Sequence, residues 1–396
     1  MNCNRLFRRE LCSIFLIGFL GGCWCVFPIA GAAKPAQVNP VSVKFPDWTN
    51  STLDWKHTAV KGRASHPSPS HIAVATDHHL AMFDSSGQTI LEPVDLGGPG
   101  VISGVAARYP GPGPYCAAWS KNGAWMRVIQ AWTGTMVLND TFNSSLKAQI
   151  YGAELALDNT ILIYWGRISA PPIAQAPIPN GFLRVYQIGS QYDRYLWNYS
   201  IPGLIDAAIS QTAKFIVAIN GSHLFLWDTP WYNDTPKAIA PVQNGTIVGV
   251  GHAQGYNTYI YWANDTHLSI WRPDDYMPTG FNNRAIFPLQ APVQELAVGA
   301  MGISAYLWGH DVGGIVRYLM AINATGWDID HPEPFNVTFE FDPGQSGFLN
   351  SGPKCSEWGR YWVIADGNQG IRFYHKNGTE LWHTGNNYTS VAMSED

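Results

Sequence analysis

The chain has 396 residues, 46% of them hydrophobic and 13% charged, with a formal net charge of −5. That length and apolar content can bury a large core, which excludes a disordered chain, and the mildly acidic balance argues against nucleic acid as a partner. Glycine, proline, tryptophan and tyrosine are abundant (39, 27, 17 and 18), and no long stretch keeps a 3.6-residue apolar period, so many short strands joined by turns are predicted.

The first 32 residues read as a secretory signal peptide. Arg5, Arg8 and Arg9 form the positive region, Leu11 to Leu20 the apolar region, and Ala30-Gly31-Ala32 a small-residue cleavage site. The apolar run is too short to cross a bilayer comfortably, so no transmembrane span is expected in the mature chain. Leu20-Gly-Gly-Cys23 permits a rival reading as a bacterial lipoprotein box. Twelve Asn-x-Ser/Thr sequons favour a different secretory route: Asn50, Asn139, Asn143, Asn198, Asn220, Asn233, Asn244, Asn264, Asn323, Asn336, Asn377 and Asn387. Composition alone would give about three. The chain is therefore expected to be secreted and N-glycosylated.

Removing the signal takes away three Arg and one Glu and moves the formal charge from −5 to −7. It also removes Cys3, Cys12, Cys23 and Cys25. Cys116 and Cys355 stay, too few for a disulfide scaffold, and a bridge between them is left open.

Residues 33–70 carry Pro and Ser with few apolar runs and read as an extended leader. From residue 71 to 396 a unit recurs, registered on the strand before a polar turn: Thr76, Trp119, Trp165, Ile219, Trp262, Trp308 and Ala365. The spacings run from 43 to 57 residues, as four-stranded propeller blades require. Around that second strand lie a small-residue first strand (Ser103-Gly-Val-Ala-Ala107), an alternating third (His223-Leu-Phe-Leu-Trp227) and a fourth (Met136-Val-Leu138). The third unit carries an insertion over residues 169–181. The seventh is read with a long first-to-second-strand connection around Pro353-Lys-Cys355. The predicted fold is all-β, a seven-bladed β-propeller. Its N-terminal unit lacks a first strand, and the chain ends on a spare one, Thr389-Ser-Val-Ala-Met393. The C-terminal strand is expected to complete the N-terminal blade.

Phe373-Tyr-His-Lys-Asn-Gly-Thr-Glu-Leu-Trp382 and Phe83-Asp-Ser-Ser-Gly-Gln-Thr-Ile-Leu91 carry a Phe-x-x-x-Gly-x-x-Leu pattern. It resembles the quinoprotein-like (PQQ-type, WD-like) repeat, which implies a propeller and little about function. Quinone-dependent members of that superfamily typically have eight blades, adjacent cysteines and calcium ligands. This chain has seven registrations and no vicinal cysteine pair after the signal, so neither PQQ nor calcium is expected.

Asp77, His78, His310, Asp311 and Asp366 fall in turns of units that a closed ring makes neighbours, where they could share a metal or polar ligand. The same residue types also fill tight turns for backbone reasons. The second-strand tryptophans could stack on sugars, or fill the widening wedge between blades. Ser120-Lys-Asn-Gly-Ala-Trp125 resembles the Asp-box turn of sialidases without its Asp, and no Gly-x-Ser-x-Gly, His-Glu-x-x-His or phosphate loop occurs. No catalytic residue is assigned.

Two functions are in view. One is a secreted, non-catalytic propeller binding a protein or carbohydrate partner; the other is a secreted enzyme of quinoprotein-like type, oxidoreductase or hydrolase, with a site on the channel axis. For binding, the first-to-second-strand connections stand out, since none of them carries a sequon. They offer Tyr109, Tyr115, His252, Tyr256, Trp358 and Arg360.

Overall fold

Runs of four to eight apolar residues separated by Gly, Asn and Asp can satisfy their backbone groups only by pairing side by side, and here they fold as antiparallel hairpins. The computed structural model describes residues 72–76, 78–83, 89–108, 115–156, 161–169, 181–188, 194–210, 212–228, 234–252, 258–274, 280–299, 302–311, 317–324, 335–341, 349–355, 361–366 and 370–383. All lie within one compact unit, Val43–Asp396. The signal, the leader, the insertion after Ser169 and the C-terminal strand lie outside the described residues.

The described strands form seven antiparallel sheets, each consecutive in the chain. Sheet one has three strands: β1 (Ile72–Thr76), β2 (His79–Phe83) and β3 (Thr89–Asp95). The others have four. Sheet two holds β4 (Gly104–Arg108), β5 (Tyr115–Ser120), β6 (Trp125–Gln130) and β7 (Thr135–Thr141). Sheet three holds β8 (Ala148–Leu155), β9 (Ile161–Ile168), β10 (Gly181–Gln187) and β11 (Arg194–Ser200). Sheet four holds β12 (Asp206–Ile209), β13 (Phe215–Ile219), β14 (His223–Asp228) and β15 (Ala238–Pro241). Sheet five holds β16 (Ile247–Gly251), β17 (Tyr259–Ala263), β18 (His267–Pro273) and β19 (Phe281–Pro288). Sheet six holds β20 (Val293–Val298), β21 (Ser304–His310), β22 (Arg317–Ala324) and β23 (Phe335–Phe341). Sheet seven holds β24 (Leu349–Cys355), β25 (Tyr361–Asp366), β26 (Gly370–His375) and β27 (Glu380–His383).

The first strands pack on one another in succession, β4 on β8, then β12, β16, β20 and β24. Small residues such as Ala106, Ala207 and Ala208 let these strands crowd together, while the outer strands diverge. The wedge that opens between neighbours is filled by six apolar cores, one between each consecutive pair of sheets. The second-strand tryptophans sit in these cores: Trp119, Trp165, Trp262 and Trp308 are all at most 5% exposed. Trp119 pairs across the ladder with Gly104, and Trp165 with Gly152. A Cβ on either glycine would run into the indole. The glycines are there to let a large ring lie flat against the neighbouring backbone.

Two local expectations are corrected. Tyr115, predicted in a connection, opens β5 with the fully buried Cys116 next to it, and Cys355 closes β24 rather than lying in a connection. The segment around Pro353 is also strand: β24 absorbs its extra length in register shifts between Leu349 and Lys354. Both cysteines carry thiols, and burial pushes the Cys116 thiol up to about 12.

Candidate functional site

The first-to-second-strand connections are described mainly at sheets four and five. His252 follows β16 and is 8% exposed. Its Nδ1 lies 2.7 Å from Thr258 Oγ1, and its ring meets the Phe215 ring edge to face at 5.1 Å. Lys214 Nζ sits 5.0 Å over the same phenyl ring. Burial, and then the Lys214 charge, bring the imidazole down to about 4, so it is neutral at pH 7. Nearby, Ser210 Oγ accepts the Phe215 N–H, and Glu154 Oε2 takes the Ile209 N–H across from sheet three. These polar groups hold the ends of β12, β13 and β16 to their neighbours.

Of the other residues predicted for binding, Tyr115 opens β5 and is 8% exposed in the core between sheets two and three. Tyr109, Tyr256, Trp358 and Arg360 lie outside the described residues. Of the five turn residues read as metal ligands, His78 is half-buried between β1 and β2, and His310 Nδ1 lies 2.7 Å from the Asp311 carbonyl. Asp77 and the Asp366 side chain lie outside the described residues. Among the described residues no three His, Cys, Asp or Glu side chains gather as a metal would need.

Sequence reasoning missed a cluster between sheets two and three. Asp140 on β7 accepts hydrogen bonds from Tyr164 on β9 and, at 2.6 Å, from Tyr186 on β10. Arg184, also on β10, donates to the same carboxylate at 2.7 Å and lies 4.1 Å over the Phe142 ring. Burial alone would raise the Asp140 carboxyl, but the two tyrosines and the guanidinium outweigh it and hold it below the usual carboxylate range. Burial and the Asp140 bond push the Tyr186 phenol up to about 12. The cluster is a closed charge-assisted network linking two sheets. Its one sequence signal is an arginine two residues after an aromatic in an apolar strand, seen twice: Trp125-Met-Arg127-Val and Phe182-Leu-Arg184-Val. Arg127 does equivalent work, donating to Asn139 Oδ1 at 3.1 Å and to the Leu96 and Gly97 carbonyls of the preceding connection.

A second repeated device occupies the turns between second and third strands. Asn264 Oδ1 accepts the Thr266 N–H, the Thr266 hydroxyl and the His267 N–H, at 2.9, 3.0 and 2.9 Å. Its Nδ2 donates to the Gln243 carbonyl at 2.9 Å. Asn220 repeats this one sheet earlier, with Ser222, His223 and the Pro202 carbonyl. Since each hydroxyl donates to its Asn, it accepts from the His Nδ1–H beside it, which fixes the tautomer of His223 and His267. Each asparagine thus pins its own turn and ties it to the connection entering the sheet.

No family model matches the chain, and no curated protein matches it either. Solved structures do. A chain of the mitotic checkpoint complex superposes with a TM-score of 0.56 at 11% identity, covering 82% of this chain and 91% of that one. The fold is a β-propeller. The C-terminal WD40 domain of Sif2 matches with a TM-score of 0.51 at 13% identity, over 77% of each chain. The propeller domain of Myceliophteria thermophila Cps50 (Swd1) matches at 0.50 and 11% identity, over 80% of this propeller chain and 98% of that one. At such identities the likeness concerns the fold alone.

Proposed function

We propose that this chain is a secreted, N-glycosylated, non-catalytic β-propeller that binds a protein or carbohydrate partner. The observation that carries this reading is how its buried and half-buried polar groups are used. His252, Glu154, Asp140 and Arg184 each hold another part of the fold, which is the economy of a rigid scaffold. The solved structures it resembles include a chain of the mitotic checkpoint complex and the C-terminal WD40 domain of Sif2. The Phe-x-x-x-Gly-x-x-Leu units are, in this reading, the quinoprotein-like blade without its cofactor. Binding belongs to the connections bearing Tyr109, Tyr256, Trp358 and Arg360, a sequon-free ring within a glycosylated shell.

The ring is proposed to have seven blades. Six cores join seven successive sheets, so sheets one and seven each take part in one core only among the described residues, and sheet one is a strand short. Residues 389–393 supply that strand and close the ring, removing two exposed edges.

Expression of the full chain in a eukaryotic secretory host tests the function. The expected product is in the medium, begins near residue 33, contains no stoichiometric quinone or metal, and binds a member of an immobilised panel of glycans or extracellular domains. Tyr256→Asn creates a sequon with Thr258, and glycan there is expected to abolish that binding. Retention in the cytosol, or a bound quinone with turnover, would overturn the reading.

A further inference from the structure

Six of the nine described sequon asparagines fall into two kinds of place, the other three (Asn143, Asn244 and Asn377) being exposed and outside the strands. Asn264 is 5% exposed and Asn323 is 6% exposed. Asn264 is held by the four bonds given above. Asn323, on β22, accepts from Ser304 Oγ at 2.7 Å, and its Nδ2 donates to Thr338 Oγ1 at 2.5 Å and reaches the Lys376 carbonyl of sheet seven at 3.4 Å. A glycan replaces one hydrogen on Nδ2 and needs open space beyond it. Neither site has that space. Asn220 is half-buried and uses its Nδ2 in the same way as Asn264.

Asn139, Asn198 and Asn336 are exposed and sit on β7, β11 and β23, the outermost strands of sheets two, three and six. Each of these strands pairs on one side only among the described residues. Each also exposes a large apolar side chain close to its asparagine: Met136 at 39%, Tyr195 at 51% and Val337 at 40%. An unpaired strand edge with apolar side chains is a template for pairing with another copy, and natural proteins cover or charge such edges. Asn139 and Asn198 stand opposite Arg127 and Arg184 on the neighbouring strands, so the arrangement recurs at equivalent positions in two blades.

We infer a division of labour among the sequons, resting on the secretory reading above. Asn139, Asn198 and Asn336 carry glycans that cover the outer edges of their blades and keep copies of the chain apart. Asn220, Asn264 and Asn323 stay unmodified and act as hydrogen-bond clamps. Sugar on Asn264 or Asn323 is incompatible with the packed fold, so chains that acquire it do not reach the medium in native form.

Site-by-site glycopeptide mapping of the secreted protein tests the division. Glycan is expected at Asn139, Asn198 and Asn336 and absent from Asn264 and Asn323; sugar at either of the last two in the native protein overturns the clamp assignment. Enzymatic deglycosylation of the folded protein is expected to shift it from monomer to higher species in sedimentation. A monomer at unchanged concentration overturns the covering role. If no sequon is occupied at all, the secretory reading fails and the covering role with it. The clamp is then judged alone, in unglycosylated protein. Asn264→Asp, which keeps the Oδ1 acceptor and loses the bond to Gln243, should lower the melting temperature by about 2–5 °C, whereas Asn198→Gln should leave it unchanged. Equal melting of the two variants overturns the clamp.

Discussion

At the scale of single residues, the polar side chains inside this propeller have been turned to structural use, and His252 shows what that implies for stability. The imidazole titrates near 4 in the folded chain against about 6.5 when unfolded. The unfolded chain therefore binds the extra proton between those values. The stability that the neutral ring contributes is complete above about pH 6.5 and is lost as the pH falls toward 4. Thermal melting from pH 7.5 to 4.5 should show this loss, and His252→Gln, which can still meet the Thr258 hydroxyl, should flatten it. An unchanged pH profile in the variant would mean that another group carries the acid sensitivity. His252 was read in the sequence as a residue of a first-to-second-strand connection, and it does lie between β16 and β17. Its burial was not legible, because nothing local in His252-Ala-Gln announces that Phe215, 37 residues earlier, lies against it. The Asp140–Arg184 network was invisible for the same reason: its members come from two sheets, and only the recurring Arg two residues after an aromatic in β6 and β10 hints at it.

At the scale of elements, the strands were readable because their cause is local. Alternation and turn residues placed β14, read as His223–Trp227, within one residue of its observed bounds His223–Asp228. Tryptophan registered the repeat because its ring spans the wedge between sheets, and the glycine facing it is the less conspicuous half of that device. Gly152→Ala should force the Trp165 ring out of place and destabilise the chain by about 1–3 kcal/mol in chemical denaturation. Full stability in that variant would show that the ring has room to move. The misplaced element was β24. Its Pro and Gly read as loop, whereas the strand tolerates them through register shifts that no sequence pattern signals.

At the scale of the whole molecule, the account depends on a ring that the two ends of the chain close together. The first strands pack from β4 through β24, and each consecutive pair of sheets shares a core. A ring of this kind is cooperative: left open, it would expose the faces of two blades and two sheet edges, and a binding mouth would lose its shape. The spacing of the repeats predicted seven units, and seven successive sheets are described; closure was predicted from a unit one strand short at the start and a spare strand at the end, and residues 389–393 lie outside the described residues. The most direct measurement is removal of residues 388–396 from the full chain, followed by secretion and thermal melting beside the intact protein. The account predicts that the shortened chain is retained, or melts many degrees lower in a broadened transition. A shortened chain secreted at the same level and melting at the same temperature would contradict it.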